Sequence, residues 1–418
     1  MARDLSLDLI FRVLPSTVEL AGLRKALLAA ATEDPTRLWS GSGAYQTVDK
    51  RIVTSETLDA VFERAQERGV AHVGTMHRSV RRAIEALEAG NALAAAELVG
   101  LGEEASEDAR WEECIAYYSV AHTVAAELDA WETRMLASRR LARAQLYLGH
   151  AEEAAQWYER SLGEATTVGS TEGFVSACVG LGNVACIVGR WRDAEGHYLR
   201  GLEGVDAGEH QLVSQLLMNL SMTARETGDF DLARERLQAA EEYWEELSQS
   251  DRSGWWNYHG LLQMELGELE RGGLAFQNSL TLSTSHFDSA MILDNLAELH
   301  IRYGDLEHAE HYARQAEDFA VVAASDRALA EVYARLGRIM RLRQDPHGVT
   351  FFEKAMELAR SNRYTLTEAQ TCVEYAIFRD AMGDPDEAHG LRQRARQLYD
   401  ELGTDTLPPG LAGDAPEG

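Results

Sequence analysis

A period of about 40 residues constrains this chain more than any other feature. Gly149, Gly189, Gly228, Gly267, Gly304 and Gly383 each stand where one helical apolar pattern stops and another begins, with Ala109 and Gln344 in the two remaining places. The steps between successive turns are 40, 40, 39, 39, 37, 40 and 39 residues. Seven residues before each turn comes a small residue: Gly102, Ala142, Gly182, Ser221, Gly260, Ala297, Gly337 and Ala376. Five after it comes another: Cys114, Ala154, Ala194, Ala233, Gly272, Ala309 and Ala388, with Val349 the larger exception. Small residues at a fixed register let two helices cross closely. Leucine usually precedes the first of them, with His259 and Tyr375 as exceptions. A bulky group follows the turn by eight or nine residues, among them Tyr117, Tyr158, Tyr198, Leu237, Phe276, Tyr312 and Phe352. A hairpin of this kind cannot bury its apolar face alone, so neighbouring hairpins must stack upon it.

The pattern is clearest in Asn295-Leu296-Ala297 through Gly304-Asp305 to Ala309, and nearly as clear in Asn219-Leu220-Ser221 through Gly228-Asp229-Phe230 to Ala233. It resembles the tetratricopeptide repeat in its longer variety. The resemblance spans 92–402 as eight units: 92–130, 131–170, 171–209, 210–249, 250–286, 287–324, 325–362 and 363–402. It implies an all-α fold, an α-solenoid in which stacked antiparallel helix hairpins wind into a right-handed superhelix. It also implies a concave groove, lined by the first helix of each pair, that binds a protein or peptide segment.

Outside the repeats, residues 1–53 read as an N-terminal helical cap or docking segment, and 54–91 as a degenerate helix pair. Pro408-Pro409-Gly410 opens a tail over 403–418 whose composition suits disorder. No apolar run is long enough to span a bilayer, and acids interrupt the N-terminal apolar stretch, so no membrane and a cytoplasmic location are expected. Forty basic against 68 acidic residues leave a charge of −28, which repels nucleic acid and anionic membranes. Cys114, Cys178, Cys186 and Cys372 lack metal spacing and are expected to act as small buried groups.

No enzyme signature survives inspection, and no cofactor is expected. Gly180-Leu181-Gly182-Asn183-Val184-Ala185 matches a dinucleotide fingerprint in letters, but that motif needs a strand and a turn at its glycines. Here the glycines fall inside a first helix, at packing positions. His300, His308 and His311 gather in one unit, with no acid at a diagnostic spacing, and are expected to be ordinary surface histidines.

The register places candidate binding residues on the groove face of the first helices. They are Arg139, Arg143, Asn183, Asn219, Met222, Asn257, Tyr258, Asn295, Arg302, Arg335 and Arg338, with Met218 and Met264 beside them. Arginines cluster near both ends, with amides and methionines between. An asparagine amide can pair with both the N–H and the C=O of an extended peptide, and methionine adapts to varied apolar contacts. The resemblance also implies comparison with the clamp that grips a peptide's terminal carboxylates. Asn183 and Asn219 match its asparagines, but Val179, Gly254 and Tyr258 stand where cations are needed.

Overall fold

The computed structural model describes residues 4–6, 52–67, 73–107, 110–206, 208–404, 407–408 and 411. The expectations for most of the segment before residue 52, and for Ala109 and 412–418, lie outside the described residues. A short antiparallel ribbon pairs β1 (Asp4–Ser6) with β2 (Ile52–Thr54), an element the repeat pattern does not announce. Helices follow: α1 (Ser55–Glu67), α2 (Val73–Ala89), α3 (Leu93–Glu107), α4 (Trp111–Glu127), α5 (Trp131–Tyr147) and α6 (Ala151–Val168). Then come α7 (Thr171–Ile187), α8 (Trp191–Gly204), α9 (His210–Glu226), α10 (Phe230–Glu241), α11 (Gln249–Glu265) and α12 (Leu269–Leu282). The last are α13 (His286–Tyr303), α14 (Leu306–Val322), α15 (Asp326–Leu342), α16 (Gly348–Ser361), α17 (Thr365–Ala381) and α18 (Pro385–Leu402). The fold is an α-solenoid of tetratricopeptide type.

The turns explain why the helices stop where they do. All six turn glycines adopt positive φ, and Gln344 does the same at 57°. This left-handed residue lets the next N–H reach back over the helix end, as Asp305 does to the His300 carbonyl at 2.9 Å. The following helix is then capped from the same spot: Asp229, Asp305 and Asp384 each accept from the backbone N–H three residues on. Ser248, Ser285 and Ser325 cap first helices in the same way.

Two compact units divide the chain, one of residues 1–147 with 152–177, the other of 178–418 with 148–151. In the first unit Phe62, Val80, Leu98, Val120 and Leu141 build the core. Its notch is Gly102, where a Cβ would stand 2.7 Å from Cζ of Tyr118. The notch partner is thus Tyr118, not the adjacent Tyr117 suggested by the spacing, because the true offset from the turn is nine residues.

The second unit repeats the device. A Cβ at Gly182 would meet Tyr198 Cζ at 2.6 Å, one at Gly260 would meet Phe276 Cδ1 at 2.7 Å, and one at Gly337 would meet Phe352 Cδ1 at 2.9 Å. Gly182 lies within α7, so the dinucleotide reading fails on its geometry. In the fourth repeat Ser221 fills the notch and donates to the Ala233 carbonyl at 2.7 Å. Val349 is no exception after all. Pro346 sits in a tight turn just before α16, with Gly348 N–H on the Asp345 carbonyl at 3.1 Å, and this slips the register by one. Gly348 becomes the small residue, and a Cβ there would stand 3.3 Å from the Gly337 carbonyl oxygen. In the sixth repeat Ala313 holds the knob position and is buried, leaving Tyr312 free to stack on His300. Leu411, assigned to the tail, is buried in the last core cluster with Tyr375 and Leu398.

Candidate functional site on the first helices

The polar positions of the first helices are partly consumed by stacking one repeat on the next. A residue nine before its turn reaches back to the positions ten and six before the preceding turn. In the first unit Arg140 donates in this way to Glu103 at 2.6 Å. Arg139 lies 4.0 Å from Glu172, and burial lowers its pKa. Arg143 donates to the Tyr147 hydroxyl at 3.3 Å, while the Tyr147 ring stacks on Trp111 at 4.1 Å.

In the second unit the same rule brings Asn295 onto Asn257, amide to amide, at 2.9 Å. It also sets Arg335 as a two-pronged donor to Asp294, at 3.1 and 2.8 Å, and as a partner of Glu298. Arg338 adds a bond to Glu298 at 2.7 Å, and Arg302 bonds Glu265 at 2.9 Å and the Met264 carbonyl at 3.0 Å. Arg341 reaches Glu374 at 3.2 Å. Burial alone would lower the Arg335 pKa, but Asp294 and Glu298 outweigh it and the guanidinium is held more firmly protonated. The arginine cluster at this end is therefore neutralised by acids that sequence spacing did not pair with it.

Asn219 escapes the pattern. The two positions it would reach in the repeat before hold Val179, which offers no polar side chain, and Asn183, whose Oδ1 is taken by the Tyr198 hydroxyl, and among the described residues its amide has no hydrogen-bond partner. Asn183 is exposed on one side yet accepts the Tyr198 hydroxyl at 2.6 Å. Met222 is half-buried beside Asn219 in sequence, but Met218 and Met264 are core residues rather than groove residues. Five buried guanidinium Nε atoms have no hydrogen-bond partner: that of Arg140 in the first unit, and those of Arg225, Arg338, Arg341 and Arg379 in the second, with Arg338 Nε 3.9 Å from Glu374.

Within this unit the face curves inward. Cys186 of the third repeat is in electrostatic reach of Tyr258 in the fifth and Arg327 in the seventh. The turn at Gly189 abuts the eighth repeat, where a Cβ would stand 2.8 Å from Thr404 and 3.6 Å from Leu366. Enclosure by the surrounding protein pushes Tyr258 up to about 12 and Cys186 up to about 11, so both stay neutral and uncharged donors at neutral pH.

The leucine exception also has a structural consequence. His259 stacks on Trp255 at 5.0 Å, and beside them lies a cavity of about 300 Å³ lined by Leu237, Glu241, Gln263 and Arg271. Gln263 is buried there with an unpartnered Oε1. Among the described residues no helix is long and apolar enough to cross a membrane.

No protein-family model matches this chain, and no curated sequence matches it either. Solved structures do. A Rap protein complexed with Competence and Sporulation Factor is similar at 11% identity with a TM-score of 0.56, over 78% of this chain and 99% of that one. The Rap conjugation gene regulator of the plasmid pLS20, in complex with the Phr* peptide, is similar at 11% identity and a TM-score of 0.55, over 74% and 96%. A tetratricopeptide repeat protein from Parabacteroides merdae is 15% identical over 65% of this chain and 98% of that one, with a TM-score of 0.43. At these identities the likeness is one of fold.

Proposed function

We propose that this protein is a non-enzymatic scaffold that holds an extended, acidic peptide or protein segment against the first helices of its second unit. The observation that carries this reading is a set of unspent hydrogen-bonding groups on one inward-curving face. The half-exposed Asn219 lies in the same register as Asn295, and on first helices of the same unit the Nε atoms of Arg225, Arg338, Arg341 and Arg379 have no hydrogen-bond partner. A buried donor without a partner costs free energy, about 1–3 kcal/mol each, that a ligand carbonyl or carboxylate recovers. The Asn257–Asn295 pair can open to a peptide backbone at little net cost, since it exchanges one amide bond for another.

The test is a titration of the 418-residue chain with fluorescent extended peptides rich in glutamate, followed by anisotropy. Binding should weaken at least about tenfold in the Asn219→Ala, Asn295→Ala, Arg338→Ala triple variant. Affinity unchanged by those three substitutions would remove the face from the argument.

A second reading is a regulatory sensor that binds a signalling peptide and relays the event through its N-terminal helices. It is supported by the two similar structures that contain a peptide or factor. Removal of residues 1–53 separates the two readings. A relay segment should be dispensable for peptide binding, whereas a cap should leave the remaining chain aggregating.

A further inference from the structure

The turn of the sixth repeat combines three donors that no other repeat brings together among the described residues: His300 four residues before Gly304, Asp305 one after it, and His308 four after it. Sequence spacing groups His300, His308 and His311 and leaves the acid unassigned. The fold supplies the acid as Asp305 and turns His311 aside to Gln315, 3.1 Å away. The two carboxylate oxygens of Asp305 do different work. Oδ1 accepts the His308 backbone N–H at 3.1 Å and caps α14. Oδ2 lies 2.7 Å from His308 Nδ1 and 3.8 Å from His300 Nδ1. The His300 Nδ1 atom is buried and has no hydrogen-bond partner. One ligand atom from each of the three residues lies within 4.8 Å of the other two. Tyr312 stacks on His300 at 5.2 Å and fixes that ring in place. The seventh repeat makes the same aspartate–histidine contact, Asp345 to His347 Nδ1 at 2.7 Å, but Met340 stands there in place of His300.

We infer that His300, Asp305 and His308 form a binding site for a late first-row divalent cation such as Zn²⁺, with water completing the shell. Two imidazoles and one carboxylate are the borderline donor set that Zn²⁺, Co²⁺ and Ni²⁺ prefer, and a poor set for Mg²⁺ or Ca²⁺. Bonds of about 2.0–2.2 Å require the donors to close in. His308 is exposed and can make most of that movement. Oδ1 keeps its cap throughout, so metal binding does not undo the start of α14. The bound ion ties the end of α13 to the start of α14 across a left-handed turn.

Calorimetric titration of the chain with Zn²⁺, and the visible spectrum of its Co²⁺ form, test the site. One equivalent should bind and raise the thermal midpoint. His300→Ala and His308→Ala should each weaken binding at least about tenfold. Asp305→Asn retains the cap oxygen and the fold but should weaken binding similarly, while His311→Ala should change nothing. Binding should also fade as pH drops through the imidazole range, because protons compete for the same nitrogens. Absence of saturable binding, or binding that His300→Ala leaves intact, would overturn the assignment.

Discussion

Gly182→Ala offers the sharpest test of how the repeats lock together, because its physics contains two opposed terms of known size. An alanine in a helix interior is worth up to about 1 kcal/mol over glycine. Gly196, exposed in α8 with nothing within 4 Å of where a Cβ would stand, should show that gain undiluted. At Gly182 the new methyl would stand 2.6 Å from Tyr198 Cζ and 2.7 Å from Cδ1, well inside van der Waals contact. Tyr198 is fully buried and cannot swing away. Overpacking of this kind costs about 1–3 kcal/mol. Displacing the ring also strains the Tyr198–Asn183 hydrogen bond, worth about 1 kcal/mol. The expected net effect is a destabilisation of about 1–2 kcal/mol, so the two alanine variants should differ by about 2–3 kcal/mol. Urea unfolding followed by far-UV circular dichroism and tryptophan fluorescence reads the difference. A Gly182→Ala, Tyr198→Leu double variant should recover part of the loss, with a coupling of about 1 kcal/mol. If Gly182→Ala stabilises as much as Gly196→Ala, the notch is not what fixes the helix crossing.

Three further outcomes are expected. Arg335→Met strands the buried Asp294 carboxylate and should cost about 3 kcal/mol in urea unfolding, with Asp294→Asn in the same chain restoring most of it. In the first unit Glu164 is buried, which alone would raise its pKa, but His122, Ser138 at 2.7 Å and Arg134 at 2.7 Å outweigh burial and lower it. Its contribution to stability is therefore present above the unfolded carboxylate value near 4.5 and lost as pH falls through the lower folded value. Glu164→Gln should flatten the thermal midpoint over that acid window and leave its slope at higher pH alone. Cys114, Cys178 and Cys372 are buried, and burial pushes Cys114 and Cys372 up to about 11. Ellman's reagent on the native chain at mildly alkaline pH should titrate Cys186 slowly and the other three only after denaturant, and rapid reaction of two or more thiols would contradict the packing.

How much of the site was legible follows from what kind of fact each part is. Turn glycines, notch residues and capping aspartates are local, and their physics is complete within about ten residues. That is why Gly304, Asp305 and Ala309 could be placed in the fold from letters alone. The errors of one position, Tyr117 for Tyr118 and Val349 for Gly348, arose where an offset of eight or nine residues was left open and where Pro346 tightened a helix start. The groove arginines went further astray because their partners lie a whole repeat away: Arg335 and Asp294 are separated by 41 positions, and Arg338 and Glu298 by 40. Linear spacing sees a cation, not the acid from the previous repeat that neutralises it. Met218 and Met264 were misplaced for the same reason, since which flank of a first helix is covered depends on the tilt of the next one.

Periodicity alone was enough to determine an α-solenoid, the position of its turns and the residues at its helix crossings, because small-to-large complementarity within a hairpin is a short-range steric condition. Only the tertiary structure decided which polar groups remain unspent. Asn219 is left over because Val179 one repeat before it is apolar and Asn183 is engaged by Tyr198, and Asp305 meets two imidazoles because a left-handed turn folds one helix end onto the next start. Hydrogen-bond satisfaction is a property of pairs, and the second member of each pair is chosen by stacking.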